Sequence, residues 1–183
     1  MRKSAAFYVL LLFTMGIFVS ASFGQTKLGY VNSQDVLEKS IEGKKILAQL
    51  QGTEQQNQAV IGKLDEEIRA LQTKLSTQRI TLTEEAAMKL QADLDRKTTD
   101  RKRKAEDAYV AMNELRDRLF KKLQDEIIVI VEQIGKEKGY DFIYDLMRSG
   151  AVYWNPALDL TGEMIKRYDA SKAAGKPPAG LAK

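Results

Sequence analysis

The chain has 183 residues, a length that suits one domain or a small domain carrying an extension. It contains no Cys and no His, which excludes disulfides, thiol nucleophiles and Cys-ligated zinc and removes the commonest general base and metal ligand. Charged residues make up 30% and aromatic residues 8%, a balance that describes a helical, solvated chain rather than an enzyme with a large core. The formal net charge of +4 comes mostly from the two ends: between residues 25 and 169 there are 24 basic and 25 acidic residues. A bulk attraction to nucleic acid is therefore not expected.

Arg2 and Lys3 precede an apolar run over residues 5–19, which is shorter than the roughly 20 residues that a membrane span needs. Small residues follow, among them Ser20, Ala21, Ser22 and Gly24. This layout predicts a secretory signal peptide, residues 1–24, cleaved after Gly24, with Ala21 as the alternative point. An uncleaved N-terminal anchor is the competing reading.

Residues 27–31 form a short apolar run of β-formers and predict a strand. Asn32 or Ser33 can cap a short helix over 35–39, and 40–43 is a joint. From residue 63 to 134 there is neither Gly nor Pro, which favours long helices. Leu47, Leu50, Glu54, Asn57, Ile61, Leu64, Ile68, Leu71, Leu75 and Gln78 follow a 3-4 alternation, a coiled-coil seam softened at Glu54 and Asn57 and loosened by Gly52 and Gly62. A second seam runs through Ala87, Leu90 and Leu94, turns polar from Asp95 to Asp107, and resumes as Ala105, Ala108, Met112, Leu115, Leu119, Leu123, Ile127, Ile130 and Ile134.

Between the seams, residues 76–83 are rich in β-branched side chains, and Thr81 with Glu84 fits a capping box. The expectation is a hairpin folded back near 77–82, with a second limb of about 55 residues, or about 80 Å. One continuous helix in a parallel dimer is the alternative. Gly139 after Lys136 and Lys138 stops the second limb. Residues 140–146 alternate and predict a strand, 148–150 a turn, 151–154 a return strand, and Thr161 a cap for a last helix over 162–168, followed by a disordered tail, 170–183.

The fold expected is α+β, mostly α: a long antiparallel helical hairpin arm, 41–139, inserted in a β-containing body made of 25–40 and 140–169. The 46 residues of that body cannot build a generous core, and three strands leave exposed edges, so self-association is expected. Leu28, Tyr30, Val31, Phe142, Tyr144, Val152 and Tyr153 are its expected core and oligomer interface. Carboxylates are interleaved with Lys and Arg as on solvated helix faces. Asp141 and Asp145, about 13 Å apart along a strand, are too distant for a catalytic pair. No phosphate loop, nucleophile elbow or metal spacing is present, so neither catalytic activity nor a metal or other cofactor is expected. The strongest local charge is the basic block Arg96, Lys97, Arg101, Lys102, Arg103 and Lys104. A solvated helix face is its plainer reading, and a diffuse binding surface its functional one.

The stretch KLGYVNSQDVL (27–37), the joint 40–43, GYDFIYD (139–145) and AVYWNPALDLTGEMIKRYD (151–169), with the coiled arm between, resemble the Skp/OmpH family of periplasmic chaperones. The resemblance covers nearly the whole chain after residue 24. It implies a homotrimer whose bodies join their strands and whose arms enclose a cavity for unfolded outer-membrane β-barrel proteins, held without ATP in the periplasm. One departure is plain: the arm has 19 basic and 18 acidic residues, whereas the family's arms tend to be basic. Apart from the resemblance, the basic block 96–104 offers a competing reading, a local contact with anionic lipid or lipopolysaccharide, and no nucleic acid is expected. An exported coiled-coil spacer or adaptor of the cell envelope is the alternative function.

Overall fold

The computed structural model describes residues 25–175. The expected signal peptide and residues 176–183 lie outside the described residues. Strand β1, Leu28–Val31, leads into helix α1, Ser33–Lys39. Asn32, not Ser33, is the cap: its side-chain oxygen accepts from the backbone N–H groups of Gln34 (3.1 Å) and Asp35 (3.3 Å). The fully buried Ser40 then serves two helices. Its N–H donates to the Val36 carbonyl at the end of α1, and its hydroxyl accepts from Gly43 N–H at 3.0 Å at the start of α2, Ile41–Thr77.

The chain reverses over residues 78–83 and returns as α3, Glu84–Lys138, 55 residues long. The arm is thus an antiparallel hairpin and not one continuous helix. Thr83 caps α3, accepting from Ala86 N–H at 3.3 Å. The expected Thr81–Glu84 capping box does not form, because the turn itself uses Thr81. Its N–H and its hydroxyl both donate to the Gln78 carbonyl. At the far end Gly139 adopts φ 65°, the left-handed conformation that terminates helices.

Strand β2, Phe142–Asp145, pairs in parallel with β1, Leu28 opposite Phe142 and Val31 opposite Asp145. Parallel pairing needs a long crossover, and here the whole arm is that crossover. The expected strand over 140–146 is shortened to four residues, and the expected return strand over 151–154 does not form: the sheet has two strands among the described residues. After β2 the chain closes a turn on Asp145, whose carbonyl accepts from Arg148 N–H and whose carboxylate accepts from Met147 N–H and Ser33 N–H. The chain then runs irregularly to a 3-10 turn, Pro156–Leu158. Asp159 bridges to Tyr30, and Leu160 N–H donates to the Tyr30 carbonyl at 2.9 Å. The third position in the sheet is therefore a single bridge beside β1, and the outer edge of β2 has no strand on it among the described residues.

The last helix, α4, spans Thr161–Ala173. Thr161 is not its side-chain cap. Its hydroxyl accepts from Asn32 N–H at 2.9 Å, and its own N–H donates to Asp159 at 2.8 Å, which ties α4 to the end of β1. The helix continues four residues into the segment expected to be disordered tail. The core lies where these elements meet the base of the arm: Val31, Val36, Ile46, Leu123, Ile130, Ile134, Leu160, Met164 and Tyr168.

Candidate binding arm and association surface

The arm buries little. Ile68 and Met112 are its buried apolar side chains beyond the base, and most seam residues are half-buried. The expected seam of α2 holds from Asn57 to Leu75. Near the base Ile46 replaces Leu47, because residue 46 points into the body core while Leu47 is exposed. In α3 the polar interruption of the seam is filled rather than empty. Lys97 and Arg101 continue the phase of Leu90 and Leu94, and each reaches the opposite limb. Arg101 makes a two-pronged contact with Asp65 at 3.0 and 3.2 Å, and Lys97 meets Glu67 at 2.5 Å. The guanidinium hydrogen bond holds the Asp65 carboxyl below its ordinary range.

The basic block therefore divides. Lys97 and Arg101 clasp the two limbs. Arg96 pairs with Asp93 at 2.8 Å, and Lys102 with Glu106 at 3.9 Å, each along the same helix. Arg103 and Lys104 carry no ion pair among the described residues. Farther out, the turn presents Ile80 to solvent, and Val60, Tyr109 and Val110 are exposed at mid-arm.

The residues expected in the body core and interface also divide. Tyr30 and Val31 are buried. Leu28, Phe142 and Tyr144 are exposed, and the rings of Phe142 and Tyr144 stack with centroids 6.1 Å apart. Val152 is 99% exposed and Tyr153 85%, so they touch almost nothing in the single chain. Beside β2 runs an apolar groove of about 760 Å³, whose lining includes Phe120, Ile127, Ile128, Val131, Phe142 and Met147. The sequence signal for its α3 wall was the apolar run 127–131, which supplies more apolar faces than one core can use.

One charged site escaped the sequence reading. Glu126 is 7% exposed and accepts from the Tyr168 hydroxyl at 2.5 Å, while Lys172 lies 2.7 Å from the same carboxylate. Burial first, and then the hydrogen bond to Glu126, push the Tyr168 hydroxyl's pKa up, so it remains a donor. Nearby, Glu163 receives Lys138 at 2.5 Å and Arg167 at 2.8 Å, and these hydrogen bonds, Lys138 first, hold its carboxyl low. Both clusters pin α4 to α3.

No match was found among curated proteins. Among solved structures, a candidate OmpH-like outer membrane chaperone from Caulobacter crescentus superposes with a TM-score of 0.70 at 19% identity, covering 80% of this chain and 86% of its own. That likeness is one of fold: a long helical arm on a small mixed body. A family model described as outer membrane protein (OmpH-like) matches residues 27–168, from the start of β1 almost to the end of α4. The chain belongs to the OmpH-like family.

Proposed function

We propose that the exported chain is an ATP-independent holdase of the periplasm, a homotrimer whose arms surround a cavity that holds unfolded outer-membrane β-barrel proteins. The observation that carries the reading is the contrast between arm and body. A second limb of 55 residues, about 80 Å long, is built on a body with a small core and an unfilled sheet edge. The base of the arm supplies Ile46, Leu123, Ile130 and Ile134 to the core, but its outer length, with a thin seam, packs on nothing in the body, so the value of that length lies in what it encloses. Many weak contacts along several arms give avidity without a dedicated pocket, and a protein that binds the unfolded state lowers its free concentration. Arg103, Lys104 and the exposed mid-arm apolar side chains are the contacts offered to a client. Family membership and the fold likeness support the same reading.

The test is light scattering on the chain from residue 25 onward, alone and after dilution of a urea-unfolded outer-membrane β-barrel protein into it. The expected result is a trimer that gains one client mass and keeps it soluble. A dimer that leaves the client to aggregate would favour a coiled-coil spacer of the envelope instead.

A further inference from the structure

We propose that α4 is a brace that sets the direction of the arm, with Glu163, Arg167 and Asp169 as its positioning residues. The chain enters the arm at Ser40, the single residue between α1 and α2, and leaves it at Gly139. Helix α4 reaches both joints. At the entry, the Asp169 carboxylate accepts from Ile41 N–H at 3.0 Å. Ile41 opens α2, so that N–H has no acceptor within its own helix. At the exit, Glu163 holds Lys138, the last residue of α3, and Arg167 holds Glu137, each at 2.5 Å. Farther along the same limb, Tyr168 and Lys172 hold Glu126.

Glu126 and Lys138 are about 18 Å apart along α3. A limb held at one point pivots there, whereas a limb held at both ends of that span cannot tilt without breaking an attachment. The exposed pairs are weak singly, but the contacts at both joints oppose the same tilt. The lever is long: a tilt of about 10° at Ile41 displaces a tip about 55 Å away by about 10 Å. The consequence for a client rests on the holdase reading proposed above: the direction of the arms sets the width of the cavity, so the brace limits the size of the chain enclosed. The brace itself does not depend on that reading.

The test is the combined variant Glu163→Gln, Arg167→Gln and Asp169→Ala. It frees both joints and leaves the buried Met164, Tyr168 and Glu126 in place. Amide exchange should quicken several-fold in the first turn of α2 and the last turn of α3, and stay at the wild-type rate around Glu126, where α4 keeps its attachment. Unchanged exchange at the joints overturns the brace. Faster exchange at all three places is loss of fold, and Asp169→Ala alone is then read at the first turn of α2 by the same criterion. Asp169→Asn keeps an acceptor for Ile41 N–H and should slow that turn again; no slowing removes Asp169 from the brace. A spin label on Ile80→Cys, the only thiol of such a chain, reads tip-to-tip distances in the assembly, which should spread by about 10 Å in the combined variant. Finally, a larger and a smaller unfolded outer-membrane β-barrel protein are offered to both chains, and the captured ratio of larger to smaller should rise several-fold in the variant. Quickened joints with an unchanged ratio leave the brace standing and overturn its limit on client size. A wild type that captures neither client overturns the holdase reading and leaves the brace standing.

Discussion

At residue 43 an added Cβ would lie 2.1 Å from the carbonyl oxygen of Leu37 and under 3 Å from its backbone carbons. Those atoms belong to α1 and cannot swing aside as a side-chain tip can. Gly43→Ala is therefore expected to lower stability by about 2–3 kcal/mol, read as a lower urea midpoint, by forcing α1 away from the first turn of α2. Glu126 is the other single residue on which much depends. As a buried carboxylate it is tolerable only because the Tyr168 hydroxyl and Lys172 both reach it. In Glu126→Gln the hydroxyl keeps an acceptor, but Lys172 loses its counter-charge at a site where its side chain is 23% exposed. The expected cost is about 1–3 kcal/mol, and it should be smaller when Lys172→Met is added, since the second change removes the stranded charge. A double-mutant cycle by urea unfolding measures that relief.

Along the arm, Gly52 and Gly62 meet nothing within 4 Å of an added Cβ, so packing does not require either glycine. Gly52→Ala and Gly62→Ala should each stabilise α2 by about 0.5–1 kcal/mol, visible as raised helicity and slower amide exchange between residues 50 and 65. The Asp65–Arg101 clasp has a defined pH dependence. Its folded carboxyl lies below the unfolded value, so its contribution is present above about pH 4 and is lost as the pH falls through the folded value. A double-mutant cycle on Asp65→Asn and Arg101→Gln should thus show coupling at pH 7 that shrinks progressively as the pH falls below about 4. The sequence disclosed elements of this kind where the signal is local. The span free of Gly and Pro and Gly139 marked the long limb and its end, and the 3-4 spacing marked the shared seam. It hid what depends on a partner in space. Lys97 and Arg101 read as a break in the seam because their carboxylates lie some 30 residues away on the other limb. Thr81 had the capping spacing, yet the turn used its hydroxyl. Residues 151–154 had the composition of a strand, but strand formation needs an edge, and within the chain the position beside β1 goes to Asp159.

For the molecule as a whole, the question is whether charge or apolar contact holds a client. The arm is almost neutral, with 19 basic and 18 acidic residues, and Lys97 and Arg101 are occupied between limbs. Within the block, Arg103 and Lys104 carry no ion pair among the described residues, and they are adjacent on the exposed part of α3. Reversing both to Glu leaves the clasps intact, unlike reversal at Arg101, which would also loosen the arm. If charge contributes, the double reversal should weaken client capture several-fold at 10 mM salt, where the screening length is about 30 Å. The deficit should shrink at 0.15 M, where that length is about 8 Å, and disappear near 1 M. Capture is read as the amount of outer-membrane protein kept soluble at each salt concentration. A variant that captures as well as the wild type at every salt concentration would remove Arg103 and Lys104 from the mechanism, and wild-type capture that is itself unchanged by salt would place the binding on exposed apolar side chains such as Val60, Tyr109 and Val110. Tyr109→Ser and Val110→Ser would then be the changes that release the client. Because those side chains are exposed in the single chain, the loss would not come with a loss of fold.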